Sequence, residues 1–130
     1  RLETNFSQSV SASGNPGKLN QVFANILINA VQALPNGGTV KVSTVSLDDC
    51  VLVMIEDDGE GITEDDLPHL FTPFFTTKPI GKGTGLGLSI CYRIIVDEHG
   101  GEILVDSTRG CTKFSIKLPL NRDDGFSLDV

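Results

Sequence analysis

The stretch 51-VLVMIEDDGEGI-62 decides the fold that we predict for this chain. Residues 51–55 are continuously apolar, as expected of a central strand covered on at least one face. The D-D-G-x-G pattern that follows most often forms a turn. It has a second interpretation, because glycines let a flat ligand approach the backbone and Asp57 can accept a hydrogen bond from an amine such as that of adenine. The stretch therefore predicts a central strand that ends in a plain turn or in one wall of a binding site.

Strands and helices are predicted on both sides of this stretch. Turn signals and apolar alternation predict strands at 2–6, 10–12, 39–47, 51–57, 102–107 and 112–118. Capping signals predict helices at about 15–34, 63–70 and 86–99. We expect an α/β (α+β) two-layer sandwich, with a mixed, mostly antiparallel sheet of about five strands and about three helices on one face. Residues 1–121 are predicted to form this domain, and 122–130 a loose tail.

The first helix carries a polar stripe between two apolar patches. Its broad apolar face contains Leu19, Val22, Phe23, Ile26, Leu27, Ala30 and Leu34. Ala24, Ile28 and Val31 form the second patch, so we expect the helix to be buried on most sides. The stripe between them includes Asn25 and Asn29, one turn apart on one face. These amides either bond neighbouring loops or supply oxygens to a ligand, since an Asn carbonyl is a hard ligand suited to Mg²⁺.

A glycine-rich segment precedes the last helix. Residues 81–88 read G-K-G-T-G-L-G-L and lead directly into it. The segment is either a flexible surface loop or a cradle in which free N–H groups at a helix start point at phosphates. The preceding residues 71–78 are rich in Phe and Thr, which fits a hinged flap anchored by rings. Lys78 and Lys82 are the cations of this region; each is either solvated or placed to reach phosphates.

Composition restricts the partners. The chain has 130 residues and a formal net charge of −7, which disfavours nucleic acid or an anionic membrane as a partner. Cys50, Cys91 and Cys111 are isolated, which argues against a disulfide framework or a zinc site. We interpret them as thiols in a reducing cytoplasm.

Four segments together resemble, in order and spacing, the catalytic ATP-binding domain of sensor histidine kinases. The segments are Asn25-x-x-x-Asn29-Ala30, Asp57-x-Gly59-x-Gly61, Phe71-x-Pro73-Phe74-Phe75 and Gly83-Thr84-Gly85-Leu86-Gly87-Leu88. They are similar to the N, first glycine, F and second glycine boxes of that family. The resemblance covers roughly residues 2–120. It implies the Bergerat-type sandwich of the gyrase, heat-shock chaperone, histidine kinase and MutL superfamily, with ATP beneath a lid.

The resemblance also implies roles for individual residues. Asn29 is expected to bind Mg²⁺, and Asp57 to bind adenine. Catalytic roles fall to Asn25, Asn29 and Lys78. The expected nucleotide-binding set is Asn25, Asn29, Asp57, Gly59, Gly61, Ile62, Phe71, Lys78, Lys82, Gly83, Thr84, Gly85, Leu86, Gly87, Leu88 and Thr112. Gly110-Cys111-Thr112 departs from the frequent G-x-G-T pattern, so the third glycine region matches less closely.

Hydrolysis and phosphotransfer are distinguished by one position. Hydrolysing relatives place a Glu one turn before the metal ligand as general base, whereas this chain has Asn25, which cannot take a proton. This departure favours phosphotransfer over hydrolysis. The resemblance implies that the γ-phosphate goes to a histidine on a helical dimerisation hairpin and from there, indirectly, to a response regulator. Neither His69 nor His99 lies in such a hairpin.

We expect this chain to be a monomeric, cytoplasmic catalytic part of a longer sensor. Any membrane contact of that sensor is expected outside this domain. A non-catalytic nucleotide-binding module and a serine-directed kinase are the alternatives.

Overall fold

The computed structural model describes residues 2–6, 10–12, 16–34, 36–73, 87–108, 110–119 and 126–128. Within these ranges the helices are α1, Pro16–Gln32, and α2, Gly87–Tyr92, and the strands are β1, Leu2–Phe6; β2, Val10–Ala12; β3, Val40–Ser46; β4, Cys50–Asp57; β5, Glu102–Thr108; β6, Cys111–Pro119; and β7, Phe126–Leu128. The predicted two-layer α/β architecture is confirmed. Strand and helix numbers differ from the prediction.

Five strands form the main sheet, in the order β1-β3-β4-β6-β5. β1 runs parallel to β3, and the other neighbours are antiparallel. The apolar run at 51–55 lies in β4, the middle strand, as its composition predicted. For β3, β4, β5 and β6, the predicted first and last residues lie within one residue of the observed ones. For β1 the predicted and observed bounds are the same.

One face of the sheet is covered and contains the core. Along β4 and β6, alternate residues point to opposite faces, and the buried set includes Val53, Ile55, Phe114 and Ile116. The helical layer contributes to the same cluster: α1 buries Leu19, Val22 and Ile26, α2 buries Cys91, and the π-helical segment Arg93–Glu98 after α2 buries Ile94 and Ile95. The other face presents alternating charges in one cross-strand row, Lys41–Glu56–Lys113–Asp106. Its Lys113–Glu56 pair lies 3.8 Å apart.

Helix α1 is less buried than the sequence suggests. Its broad apolar face is in the core, but Ile28 and Val31 are 52% and 61% exposed. The expectation that the second patch is covered is therefore wrong for the described residues. The helix ends at Gln32 instead of Leu34, since Leu34 N–H bonds the Val31 carbonyl in a tighter i→i+3 turn just before Pro35.

Of the two other predicted helices, the one at 63–70 is mostly absent, whereas the one at 86–99 is found as helical residues 87–98. The segment expected to be helical at 63–70 has only a 3₁₀ turn, Leu67–His69, which contains Pro68. The Thr63 hydroxyl accepts the Asp66 N–H at 3.3 Å, which is half of the expected capping box. Helix α2 continues as a π-helical segment, Arg93–Glu98, and ends with Gly100 at φ 66° and a bond from Gly101 N–H to the Ile95 carbonyl.

Part of the predicted tail is a strand. Residues 126–128 form β7, which pairs antiparallel with β2 in a separate two-stranded sheet. Counting both sheets, the described residues contain seven strands instead of about five. The domain boundary at residue 121 stays a prediction.

Candidate functional site

A polar row crosses one end of the covered sheet face. Asp57 is the last residue of β4, its cross-strand partner on β6 is Thr112, and the partner of Thr112 on β5 is Ser107. On the other side of Asp57 the row continues with Val40. Asp57 and Thr112 are 6% and 4% exposed, so two polar side chains are buried side by side at one end of a mostly apolar face. Buried polar groups at a strand end need partners, and a ligand can supply them.

Asp57 and Asp58 have different environments although they are adjacent. Asp57 accepts the Gly59 N–H at 3.0 Å. Burial raises the pKa of Asp57 above its usual range; the Gly59 hydrogen bond lowers it, and the charge of Asp58 raises it further. Asp58 is exposed, and its carboxylate accepts the Thr39 N–H at 2.8 Å. Asp58 therefore secures the start of β3, whereas Asp57 faces the interior.

The glycines of the loop after β4 allow close backbone approach. A Cβ on Gly59 would lie 2.5 Å from the Ala33 carbonyl oxygen at the end of α1. Gly61 has φ 83°, and a Cβ there would lie 2.6 Å from the Thr108 carbonyl oxygen. No other residue type fits without movement. The loop thus runs between the end of α1 and the end of β5, which brings the Asp57 row near the helix that carries the polar stripe.

A serine that no motif indicated joins this loop to the row. The Ile62 N–H donates to Ser107 Oγ at 2.7 Å, and Ser107 Oγ lies 3.0 Å from Thr112 Oγ1. The alternation of β5 places Ser107 on the covered face with Ile103 and Val105. That alternation, combined with the two-residue connection between Thr108 and Cys111, was the signal that could have identified Ser107.

The stripe residues Asn25 and Asn29 are both half-buried on α1. Asn29 precedes Ala33 by one turn, and its carbonyl accepts the Ala33 N–H at 3.1 Å, so it is close to the Gly59 contact. Asn25 hydrogen bonds the Cys91 side chain of α2. Burial raises the pKa of Cys91 to about 11, and its thiol donates to the Val22 carbonyl at 3.7 Å. This thiol is a neutral link between the two helices.

The remaining predicted residues fall into two groups. Phe71 contacts Tyr92 of α2 with ring centroids 5.5 Å apart, and Ile62, Phe71 and Leu88 pack against the core. Gly87 begins α2, and a Cβ there would meet open space. Outside the described residues lie Lys78, Lys82, Gly83, Thr84, Gly85 and Leu86. The structure thus brings together Asp57, Gly59, Gly61, Ile62 and Thr112, and connects them to α1 through Ala33.

The described ranges restrict two further possibilities. They contain no group of three or more His, Cys, Asp or Glu side chains that would hold a metal ion by protein ligands alone. No helix within them is both long and apolar enough to cross a bilayer. What the row offers is one buried carboxylate acceptor with a hydroxyl beside it, next to a glycine loop that packs closely on the Ala33 and Thr108 carbonyls. This arrangement suits a flat heterocycle that presents an amine.

Comparisons with known proteins agree with this geometry. The family model described as histidine kinase-, DNA gyrase B-, and HSP90-like ATPase matches residues 14–122. Sporulation kinase E of Bacillus subtilis (strain 168) is 49% identical over 110 residues, which are 83% of this chain and 14% of that protein. Sensor histidine kinase ZraS of Escherichia coli (strain K12) is 41% identical over 108 residues, 82% of this chain and 23% of that protein.

Solved structures give the same result. The catalytic domain of histidine kinase ThkA, in a nucleotide-free form, superposes with a TM-score of 0.81 at 33% identity, covering 92% of this chain and 80% of that one. The mycobacterial sensor histidine kinase MprB superposes with a TM-score of 0.77 at 29% identity, covering 92% of this chain and 83% of that one. The chain spans less than a third of the length of the curated relatives named above.

Proposed function

Because this chain belongs to the family of histidine kinase-, DNA gyrase B- and HSP90-like ATPases, we propose that it binds Mg²⁺–ATP and transfers the γ-phosphate to a histidine on another domain. The relatives named above are sensor histidine kinases, which supports this proposal. The observation that carries the proposal is the buried carboxylate of Asp57, which ends the central strand beneath a glycine loop and is held by the Gly59 N–H.

Asp57 is proposed to recognise the base. An ionised carboxylate only accepts hydrogen bonds, so it suits the exocyclic amine of adenine and repels the carbonyl that guanine has at that position. Its burial strengthens this discrimination, because a mismatched base would leave the carboxylate with the Gly59 N–H but without a donor from the ligand, in a site of low polarity. Thr112, one strand away, supplies a hydroxyl to the same edge of the base.

Asn29 is proposed to hold Mg²⁺. An amide oxygen is a hard donor, and Mg²⁺ commonly takes one or two protein oxygens and completes its shell with phosphates and water. The half-buried position of Asn29, one turn from the Gly59 contact, fits such a donor. When bound, the ion neutralises charge on the transferring phosphate.

The phosphates are proposed to lie toward the start of α2. Gly83, Gly85 and Gly87 would present backbone N–H groups there, and Lys78 and Lys82 would add positive charge. The contact between Phe71 and Tyr92 supports this placement, since it attaches the start of the aromatic segment to the same helix. Lys78 and Lys82 lie outside the described residues, so their part rests on the sequence.

The acceptor histidine is proposed to come from a dimerisation hairpin elsewhere in a longer protein. Of the two histidines, His99 lies at the far end of the π-helical segment with Nδ1 2.6 Å from the Ile94 carbonyl. His69 lies in the 3₁₀ turn. A response regulator would receive the phosphate afterwards. Transfer depends chiefly on in-line positioning and charge neutralisation, so the nucleophile must be delivered by that second domain.

Labelled ATP tests this proposal. We expect the chain alone to bind ATP, to hydrolyse it slowly at most, and not to label itself. Addition of the parent's hairpin as a separate chain should label a histidine on the hairpin, weakly because the two are not tethered. The phosphate should be acid-labile and base-stable, as phosphohistidine is.

Two results would contradict the proposal. Efficient labelling of His69 or His99 in the chain alone would place the acceptor within it, and rapid hydrolysis without a partner would make it an ATPase. A hairpin whose acceptor histidine is replaced by alanine is the matched control, and it should stay unlabelled.

A further inference from the structure

Ser107 has a place in the site that neither the motifs nor the proposed function assigns. We propose that Ser107 is a positioning residue for nucleotide binding: its hydroxyl ties the glycine loop to Thr112 and thereby holds the two walls of the adenine pocket at a set distance. The inference rests on the proposed function, because it concerns the same pocket. Ser107 itself need not touch the base.

The hydroxyl connects three separate segments. It accepts the Ile62 N–H at 2.7 Å across 45 residues of sequence, and it lies 3.0 Å from Thr112 Oγ1 on the neighbouring strand. Its own hydrogen has two possible acceptors, Thr112 Oγ1 and the Cys111 carbonyl at 3.4 Å. The 3.0 Å contact can be donated by either hydroxyl, and when the Ser107 hydrogen goes to the Cys111 carbonyl, Thr112 donates to Ser107. In both arrangements Ser107 Oγ joins Ile62 to Thr112.

The consequence for Asp57 follows from the loop. Ile62 is three residues after Gly59, whose N–H holds the Asp57 carboxylate at 3.0 Å. Gly61 lies between them and packs against the Thr108 carbonyl. The Ser107 bond and this close packing fix the loop to the end of β5 at two adjacent points. Loss of the bond between the Ile62 N–H and Ser107 would free the loop at Ile62. The Gly59 N–H, which orients the Asp57 carboxylate, would then be held less firmly.

A structural role alone does not explain a serine here. The covered face of β5 otherwise has Ile103 and Val105, so an apolar side chain packs well on this strand. The polar residue Ser107 lies where β5 contacts both the glycine loop at Ile62 and Thr112 of β6. We therefore expect removal of the hydroxyl to affect ligand binding more than stability.

Three variants test the inference. In Ser107→Ala the Kd for Mg²⁺–ADP should rise about tenfold, equivalent to about 1.4 kcal/mol, because one hydrogen bond in the pocket wall is lost. Amide hydrogen exchange at Ile62 should speed up while the melting temperature stays close to that of the wild type. Ser107→Thr keeps the hydroxyl and should restore both values. Ser115→Ala, the same change on the opposite face of β6, should alter neither.

The outcomes separate the inference from the proposed function. A wild-type chain that binds no ADP by calorimetry would overturn the proposed function, and this inference with it. ADP binding by the wild type and equally by Ser107→Ala, with unchanged exchange at Ile62, would overturn the inference alone. The inference alone would also be overturned if Ser107→Ala lowered both the affinity and the melting temperature and Ser107→Thr did not restore the affinity.

Discussion

The two ends of one sheet face differ in what they bury. At one end of β4, β6 and β5 the cross-strand row is Asp57–Thr112–Ser107; farther along the same strands lies the row Val53–Ile116–Ile103. The apolar row belongs to the core cluster, and in the polar row Asp57 and Thr112 are also buried. The apolar row gains free energy from burial, whereas burying the carboxylate of Asp57 costs free energy, which its hydrogen bond from the Gly59 N–H offsets in part. One face thus combines an end that stabilises the fold with an end that buries polar groups, where we propose that the nucleotide binds.

The largest effect is expected in the apolar row. Ile116→Ala should lower the free energy of unfolding by roughly 2–5 kcal/mol, because it leaves a cavity at a fully buried position. The nucleotide affinity of the folded fraction should stay near the wild-type value. Thermal or urea unfolding and calorimetry with Mg²⁺–ADP measure the two quantities.

Leu104→Ala is the control for Ile116→Ala. Leu104 is 55% exposed on the opposite face, so its substitution should change the free energy of unfolding by no more than about 0.5 kcal/mol. Lost affinity in Ile116→Ala without lost stability would break the comparison.

The polar row should give the reverse pattern. Asp57→Asn should weaken Mg²⁺–ADP binding by roughly 1.5–3 kcal/mol, about 10- to 150-fold, since a charge-assisted bond to the adenine amine is lost. Asn keeps an oxygen for the Gly59 N–H and removes the buried charge. The melting temperature at pH 7 should therefore be unchanged or higher.

Asp58→Asn provides the matched control for that variant. It makes the same substitution at the neighbouring exposed residue, where the contact is with the Thr39 N–H and not with the row. Its nucleotide affinity should match the wild type. An equal loss of affinity in both variants would mean that net charge, and not the position of Asp57, determines binding.

The smallest effect is a pair of opposed pH trends. Burial raises the pKa of Asp57 above 3.8, so the folded state binds this proton more tightly than the unfolded chain does. The contribution to stability is present below pH 3.8 and is lost as the pH rises through the raised pKa. Nucleotide affinity should change in the other direction and fall as the pH drops through the same value, because the protonated acid is a weaker acceptor. Calorimetry and melting curves across this range, compared with Asp57→Asn, measure both trends; parallel trends would contradict the assignment.

Local patterns were sufficient for the sheet and for part of the site. The apolar run at 51–55 identified the central strand, because a strand covered by helices has few polar residues. The position of Asp57 at its end followed directly. Glycines that need a positive φ or a close approach, such as Gly61, are visible in sequence because no other residue type serves there.

Features that depend on distant partners were not predictable. Ser107 becomes part of the site only through the register of β5 with β6 and the path of the loop at Ile62. The exposure of Ile28 and Val31 was missed for a related reason. Helical periodicity shows which residues share a face, but it does not show whether anything covers that face.

The distance along the chain between the members of the polar row has a consequence during synthesis. Thr112 follows Asp57 by 55 residues. At about 5–20 residues per second, the ribosome adds those residues in roughly 3–11 s. During that interval β4 lacks its β6 partner, and the Asp57 carboxylate stays hydrated and ionised. The desolvation of Asp57 therefore depends on a strand that is synthesised seconds later, so the polar row forms as a unit only after β6 has been made.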